Sequence, residues 1–254
     1  LTYYYTRKIL SCHYCNYNTN IPEICPQCRS SYIGFRGLGT EKIESELHRL
    51  FPATNISRCD KDTDSPKSFN ILVCTQIILK KIDTLIDLLG IISIDASLNR
   101  IDFRAAEKTF SLLTRLAAIA KSKVVIQTFQ PAHYCFEALI NSDYEYFLKK
   151  ELTIRKELNF PPFSQLVVIN LRSKDEVKTR EASLELFKEL TKKKNNVDIS
   201  NPHPSIPFKL RGNFRMQVLL KSKDITSIRQ LIKKAMRTFR KGPVTVSIDV
   251  DPQF

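Results

Sequence analysis

The sequence has no apolar run long enough to cross a bilayer as a helix, and no signal-like stretch opens it, so a membrane-spanning or exported chain is not expected. It contains no GxxxxGK[ST], so the chain by itself has no phosphate-cradling loop. HExxH and a Ser-His-Asp signature are both missing, which removes two common hydrolase chemistries. There is no internal repeat and no low-complexity tract. "DKDTDS" (Asp60–Ser65) has calcium-loop spacing, yet it lacks the glycine at the sixth position and has Ile71 where a bidentate glutamate is needed. Glycine is scarce, and cysteine is sparse outside one stretch. Cys59, Cys74 and Cys135 stand alone and are expected to be small buried apolar residues in a reducing, cytoplasmic setting. At 254 residues the chain can hold one large or two medium domains. It opens on Leu1 rather than Met, which suggests a missing or processed N-terminus.

The exception to the cysteine scarcity is "CHYCNYNTNIPEICPQC". Cys12, Cys15, Cys25 and Cys28 fall there as CxxC, nine residues, CxxC. A disulfide framework and a metal knuckle both use such pairs. A secreted disulfide scaffold is short and cysteine-dense, which this chain is not. A tight turn between paired thiolates points both sulfurs at one ion, at about 2.3 Å for zinc, so zinc is the expectation. His13 lies inside the first pair, whose neighbours already supply four thiolates; it and His48 are read as structural or solvated.

Formal net charge is +14, and its placement is one-sided. Residues 150–254 carry 22 Lys and Arg against 11 Asp and Glu, while residues 1–149 carry 18 against 15. A basic half is the electrostatic footprint of a phosphate-binding surface, although solvated helix faces in a lysine-rich chain give the same count.

The pattern of elements is mixed. Gly37 and Gly39 make a turn, Thr40 can cap the helix that follows, and Ile43, Leu47 and Leu50 share one of its faces. Strands are expected at Asn70–Thr75, Leu88–Asp95 and 123–129. Helices are expected at 102–122 and 143–158, which makes a mostly parallel α/β unit to about residue 141. Pro161–Pro162 marks the best boundary. Beyond it the order is strand Gln165–Arg172, helix Asp175–Lys193, strand Val197–Ser200, a proline-rich loop, strand Arg215–Lys221, helix Asp224–Arg240 and strand Val244–Val250. That is the split β-α-β, β-α-β order of a ferredoxin-like α+β domain. In the last helix Ile228, Leu231, Ile232, Ala235 and Phe239 form the buried stripe. Arg229, Lys233, Arg237, Arg240 and Lys241 lie on the outer face and are the candidate DNA contacts.

Eight stretches, among them "GLGTEKIESELHRLFP", "DFRAAEKTFSLLT", "DYEYFLKKELTIRKELNFPPF" and "RGNFRMQVLLK", resemble the bacterial primosomal protein N′ family in the same order. The resemblance spans essentially the whole chain. It implies the C-terminal portion of an ATP-driven 3′-to-5′ DNA helicase that acts in replication restart and primosome assembly. The implied organisation is a partial zinc-binding module (1–33), a second helicase lobe of parallel α/β type (34–160) and a C-terminal DNA-binding and interaction domain (161–254). The family has four CxxC pairs and two zinc ions. Here the last two pairs remain, so the resemblance implies one shared ion or weak binding. DNA, forked or single-stranded, is the implied partner, with single-stranded-DNA-binding protein and primosome proteins beside it. The surface for the former's tail maps to Asn213–Gln217, where Arg215 and Gln217 survive and the leading arginine has become Asn213.

Departures cluster in the lobe. Cys74 and Lys81 replace family glycines, as do Ala118 and Lys121. Ile119 and Ser122 stand where the family's arginines reach the ATP phosphates. The chain is also shortened before "NILV" and again before "VVIQT". ATP belongs to the complete family protein only, and the chain alone is expected to be ATPase-inactive. The alternative is a standalone zinc-containing DNA-binding or protein-interaction module derived from that helicase.

Overall fold

Short apolar strands alternate with amphipathic helices along the chain, which the computed structural model describes at residues 2–4, 9–11, 18–31, 39–60, 66–81, 85–100, 102–192, 196–240 and 242–252. The described residues fall into two units, one up to Phe147 and one from Leu148 onward. None of their helices is long and apolar enough to cross a membrane.

The first unit opens with three short antiparallel strands, β1 (Thr2–Tyr4), β2 (Ile9–Ser11) and β3 (Asn18–Asn20), in that order. Helix α1 (Thr40–Leu50) follows. Thr40 does not cap it. Gly39 occupies the cap position, and the Thr40 hydroxyl instead donates to Asp60 Oδ2 at 3.3 Å. Leu50 is exposed, so only Ile43 and Leu47 are half-buried on the expected face. What fastens α1 is Arg58, on β4 (Ile56–Cys59), paired with Glu41 at 3.1 Å, Asp60 at 3.4 Å and Glu44 at 3.6 Å. These carboxylates hold the guanidinium in its charged form despite some burial.

Strand β5 (Ile71–Cys74) pairs with β4 in parallel, which sets Cys59 opposite Cys74. After the short α2 (Ile78–Lys81) comes β6 (Ile86–Ile91), then α3 (Asp95–Leu98), α4 (Ala105–Ala117) and β7 (Ala120–Ile126). β6 and β7 are again parallel. Helix α4 stops at Ala117, five residues short of the expected end. Alanine and lysine favour helix locally, but pairing of Ala120 with Ile86 takes the chain into β7. Ile119 then packs against the cluster of Ile78, Leu89, Ile91, Leu113, Leu116 and Phe136. Helices α5 (Tyr134–Ile140), which the sequence pattern did not single out, and α6 (Tyr144–Glu157) follow. Phe110 of α4 and Phe147 of α6 stack with centroids 4.0 Å apart.

The second unit is built on β8 (Gln165–Ser173), whose residues 166–169 and Leu171 are all buried. Next come α7 (Glu176–Thr191), β9 (Asp198–Ile199), β10 (His203–Leu210), β11 (Asn213–Ser222), α8 (Ile225–Thr238) and β12 (Thr245–Val250). The sheet runs β10-β11-β8-β12, with β9 also on β11, and every neighbouring pair is antiparallel. This is the order of a split β-α-β, β-α-β sheet. Val167, Ile169 and Leu171 of β8 and Met216, Val218 and Leu220 of β11 face α7 and α8, and with Leu186, Leu190, Ile228 and Ile232 they make one core. Aspartates cap both helices: Asp175 accepts from Lys178 N, and Asp224 from Thr226 N and Ser227 N.

The expected proline-rich loop is a strand. β10 is an edge, paired only with β11, so its prolines interrupt no second ladder, and its register slips between Pro204 and Lys209. Arg211 and Gly212, both at positive φ, close the two-residue hairpin between Leu210 and Asn213.

Candidate nucleic-acid interface

Helix α8 buries Ile228, Ile232 and Ala235 and leaves Arg229, Lys233 and Arg237 exposed at four-residue spacing along one flank. Arg240 lies exposed just beyond Phe239, whose N–H ends the helix on Ala235 O. Lys241 lies outside the described residues. α8 contains no Asp or Glu, and among the described residues none of these four cations joins an ion pair.

Helix α7, against the same core, differs. Lys178 pairs with Asp175 at 3.7 Å, Arg180 with Glu176 at 3.0 Å, and Lys192 with Glu189. One helix neutralises its own charge, and the other displays it. Side chains with no fixed partner lose less on moving to a phosphate than ones that must first break a pair. Lys234, also exposed on α8, adds to the charge and borders a groove of about 620 Å³ beside Glu189 and Thr238.

The sheet face away from α7 and α8 carries the second set of expected residues. Arg215 on β11 stands directly opposite Arg172 on β8, and Gln217 opposite both Asn170 on β8 and His203 on β10. Two arginines face to face on adjacent strands repel each other, and neither has an ion-pair partner among the described residues. His203 Nδ1 lies 3.0 Å from Asn201 O and its Nε2 lies 2.9 Å from Gln217 Nε2. A carbonyl only accepts, so Nδ1 carries the proton and Nε2 accepts from the Gln217 amide. Gln217 is thereby oriented. Sequence reading found Arg215 and Gln217 but not Arg172, Asn170 or His203, because strand register brings them together and no local spacing encodes it.

Cys12 and Cys15 lie outside the described residues. Cys25 and Cys28 sit on a tight turn, Cys25 half-buried and Cys28 exposed. Arg29 N donates to Cys25 O and Cys25 N to Ser30 O, both at 2.9 Å, with Arg29 at positive φ. Backbone N–H groups of Cys28 and then Gln27, with the Cys28 thiol, bond the Cys25 sulfur and hold its thiol below the ordinary range. This is the donor chemistry of a thiolate pair, and it fits a zinc ion. Among the described residues no three His, Cys, Asp or Glu side chains form a metal cluster.

Around the departures in the first unit the chemistry is muted. Ile119 is packed into the core and Ser122 is exposed on β7, where its neighbour Lys121 reaches Asp87 at 3.6 Å. Cys74 is half-buried, and burial beside Cys59 pushes its thiol up to about 11.

Comparison with known proteins covers the whole chain. The family described as "Primosomal protein N C-terminal domain" matches residues 156–253. The chain is similar to "Replication restart protein PriA" of Bacillus subtilis, 32% identical over 277 residues, covering 99% of this chain and 34% of that protein. It is 33% identical over 270 residues to the protein of the same name from Borreliella burgdorferi and 33% over 272 to that from Treponema pallidum. Each of these matches covers 99% of this chain and 41% of the relative. The chain thus spans 34% to 41% of the length of these relatives. A likeness carried from one end of the chain to the other, and closed by the domain at 156–253, makes it a member of the PriA family, corresponding to that family's C-terminal portion.

Proposed function

We propose that the chain acts on DNA in replication restart, and that its second unit holds the phosphate backbone through α8 without strong sequence preference. One observation carries this reading: Arg229, Lys233 and Arg237 on a helix with no acid of its own, and Arg240 just past its end, are exposed and without ion-pair partners among the described residues. The relatives, which are replication restart proteins, supply the setting. Cations that neutralise phosphates release counterions, so affinity falls with salt at a log–log slope of about −0.9 per phosphate on duplex. A salt titration of the wild type and of Lys233→Ala with Arg237→Ala, on forked and linear DNA, tests it. The double variant is expected to flatten the slope by roughly 2 and to weaken all sequences alike. Equal slopes would mean a merely solvated helix face.

As a segment of an ATP-driven helicase lineage, the chain by itself neither hydrolyses ATP nor unwinds DNA in this reading. It has no P-loop, and Ile119 and Ser122 stand at the phosphate-reaching positions. An arginine of that kind is worth on the order of 10³-fold or more in related enzymes. Cys12, Cys15, Cys25 and Cys28 hold one zinc ion, which supplies folding energy to the N-terminal module when bound. The Cys25 turn supports that assignment.

A second reading is favoured by the opposed Arg172 and Arg215 with the oriented Gln217 beside them. Such a face suits the acidic tail of a partner protein, with single-stranded-DNA-binding protein as the partner the family resemblance implies. Charge reversal at Arg215 separates the two readings, since it abolishes tail binding and leaves the salt slope on duplex DNA unchanged.

A further inference from the structure

A single exposed apolar side chain is ordinary on a protein surface. Phe129 differs from the others in this chain by how it is held. It is 91% exposed, the highest value among the described large apolar residues, yet its backbone is fastened from both sides. Its N–H donates to both carboxylate oxygens of Asp95, at 3.2 and 3.3 Å, and the Thr128 hydroxyl donates to Asp95 Oδ1 at 2.6 Å. Gln130 N donates to Thr128 Oγ1 at 3.0 Å, and the Gln130 amide donates to Asn99 Oδ1 at 3.1 Å. On the near side Gln127 N continues the β6–β7 pairing onto Ile91 O at 2.9 Å, and on the far side His133 N closes onto Gln130 O at 3.0 Å. Together these bonds brace a ring that is left almost wholly in solvent. Ile140, 81% exposed, sits in the last turn of α5, where helix and capping backbone bonds hold it and no basic side chain is its sequence neighbour.

Position adds a second argument. The loop leaves the carboxyl end of β7 beside the carboxyl end of β6, and in open parallel α/β sheets that is the end where ligands bind. Charge adds a third. Arg100 follows Asn99, the residue that anchors Gln130. It is exposed and in no ion pair among the described residues.

We infer that Phe129 is a stacking platform for an unpaired nucleobase, with Arg100 serving the adjoining phosphate. The occupant is single-stranded nucleic acid: a flat, presented ring suits a base face, which every base offers, and a basic neighbour suits the backbone. In a duplex the base faces are covered, so the site discriminates by strandedness and not by sequence. This inference rests on the proposal that the chain acts on DNA, but it places a second contact in the other unit.

The sequence has no tryptophan, so Phe129→Trp introduces a single indole fluorophore at the site. Full-length Phe129→Trp titrated with oligothymidylate is expected to lose more than half of its emission at saturation. Blunt duplex leaves it unchanged, and Ile140→Trp responds to neither. In anisotropy titrations with labelled DNA, Phe129→Ala and Phe129→Leu are each expected to weaken single-strand binding about ten-fold and duplex binding by less than two-fold. Unquenched emission from a Phe129→Trp chain that binds the strand, or full affinity in Phe129→Ala, overturns the stacking site. If that occurs while Lys233→Ala with Arg237→Ala still weakens binding, the phosphate-binding face of α8 stands alone. If the charge variant changes nothing and the Phe129 variants do, the face on α8 falls and the stacking site remains. A wild type that binds no DNA overturns both.

Discussion

The two units differ in how deeply they are packed. Of the twelve largest fully buried side chains among the described residues, ten belong to the second unit and Leu113 and Thr109 to the first. The second unit gathers its apolar residues into one cluster around β8, buried on both faces, while the first divides them between a set near β6 and a smaller one around Phe110 and Phe147. Beside the departure at Asn213 in the second unit, those that the resemblance implies at Cys74, Ile119 and Ser122 fall in the first. In the first unit β4–β5 and β6–β7 form two separate parallel pairs among the described residues, and polar devices such as Arg58 among three carboxylates do part of the fastening. The difference teaches where each unit's role resides. The second unit is a rigid base that can display uncompensated charge, because its core does not need its surface. The first unit leans instead on polar contacts such as those of Arg58 and on braced loops.

The comparison breaks most directly through the cores. Leu186→Ala, at the centre of the second unit's cluster, is expected to cost about 3 kcal/mol, since its neighbours are themselves locked against the sheet. Leu113→Ala, equally buried, sits among many half-buried neighbours that can move into the space, and the expected loss is nearer to about 2 kcal/mol. Hydrogen exchange, read on β8 and β11 for the first variant and on β6 and β7 for the second, measures each loss on its own strands. A larger loss for Leu113→Ala would show that the thinner unit is the better packed.

How far the sequence foretold this contrast depends on which forces were local. The second unit was legible because its helices carry their own signals, an aspartate cap followed by apolar residues at three- and four-residue spacing, and because β8 is an apolar run and β11 alternates. β10 was missed because three prolines in "PHPSIP" argue against a strand, and only its place at the sheet edge permits them. The α4–β7 junction was missed because "LAAIAKSK" favours helix and only pairing with β6 decides otherwise. Charge on α8 could be read from spacing, whereas the Arg172–Arg215 opposition and the bracing of Phe129 exist only once strands and loops are brought together.

Thiol chemistry sharpens the comparison from the other side, because the described cysteines, Cys25, Cys28, Cys59, Cys74 and Cys135, all precede Phe147 and report on the first unit alone. Burial beside Cys59 holds the Cys74 thiol at about 11, so at pH 8 roughly one molecule in a thousand carries the thiolate there. In metal-stripped protein Cys74 is expected to alkylate about a hundred-fold more slowly than exposed Cys28, as followed by peptide mass spectrometry. Zinc-loaded protein, expected to carry close to one ion, should protect Cys28 and leave the Cys74 rate unchanged. Fast labelling of Cys74 would mean that the β4–β5 pair opens readily, and the first unit would then be thinner in solution than its packing suggests.

The smallest effect tests whether the second unit's stability is as independent of its surface as its core implies. Asp224 accepts hydrogen bonds from Ser227 Oγ at 2.8 Å, Thr226 N at 2.9 Å and Ser227 N at 3.0 Å, and these bonds, the Ser227 hydroxyl first, hold its carboxyl below the usual aspartate value. A carboxyl whose folded value is depressed adds stability above its unfolded value, and that stability is lost as pH falls through the folded one. Asp224→Ala is therefore expected to lower the melting temperature of the second unit by a few degrees at pH 7. The gap to wild type should narrow steadily as pH drops below about 4, where the native carboxyl takes up its proton. DNA affinity is the sharper reading, because α8 carries the proposed contacts: with the core holding the helix in place, the variant should bind at low salt within about two-fold of wild type, since the counterion-release slope depends only on the cations presented. A large loss of binding would mean that the cap, and not the core, sets the line of Arg229, Lys233 and Arg237, and the rigid base would then be a property of one aspartate.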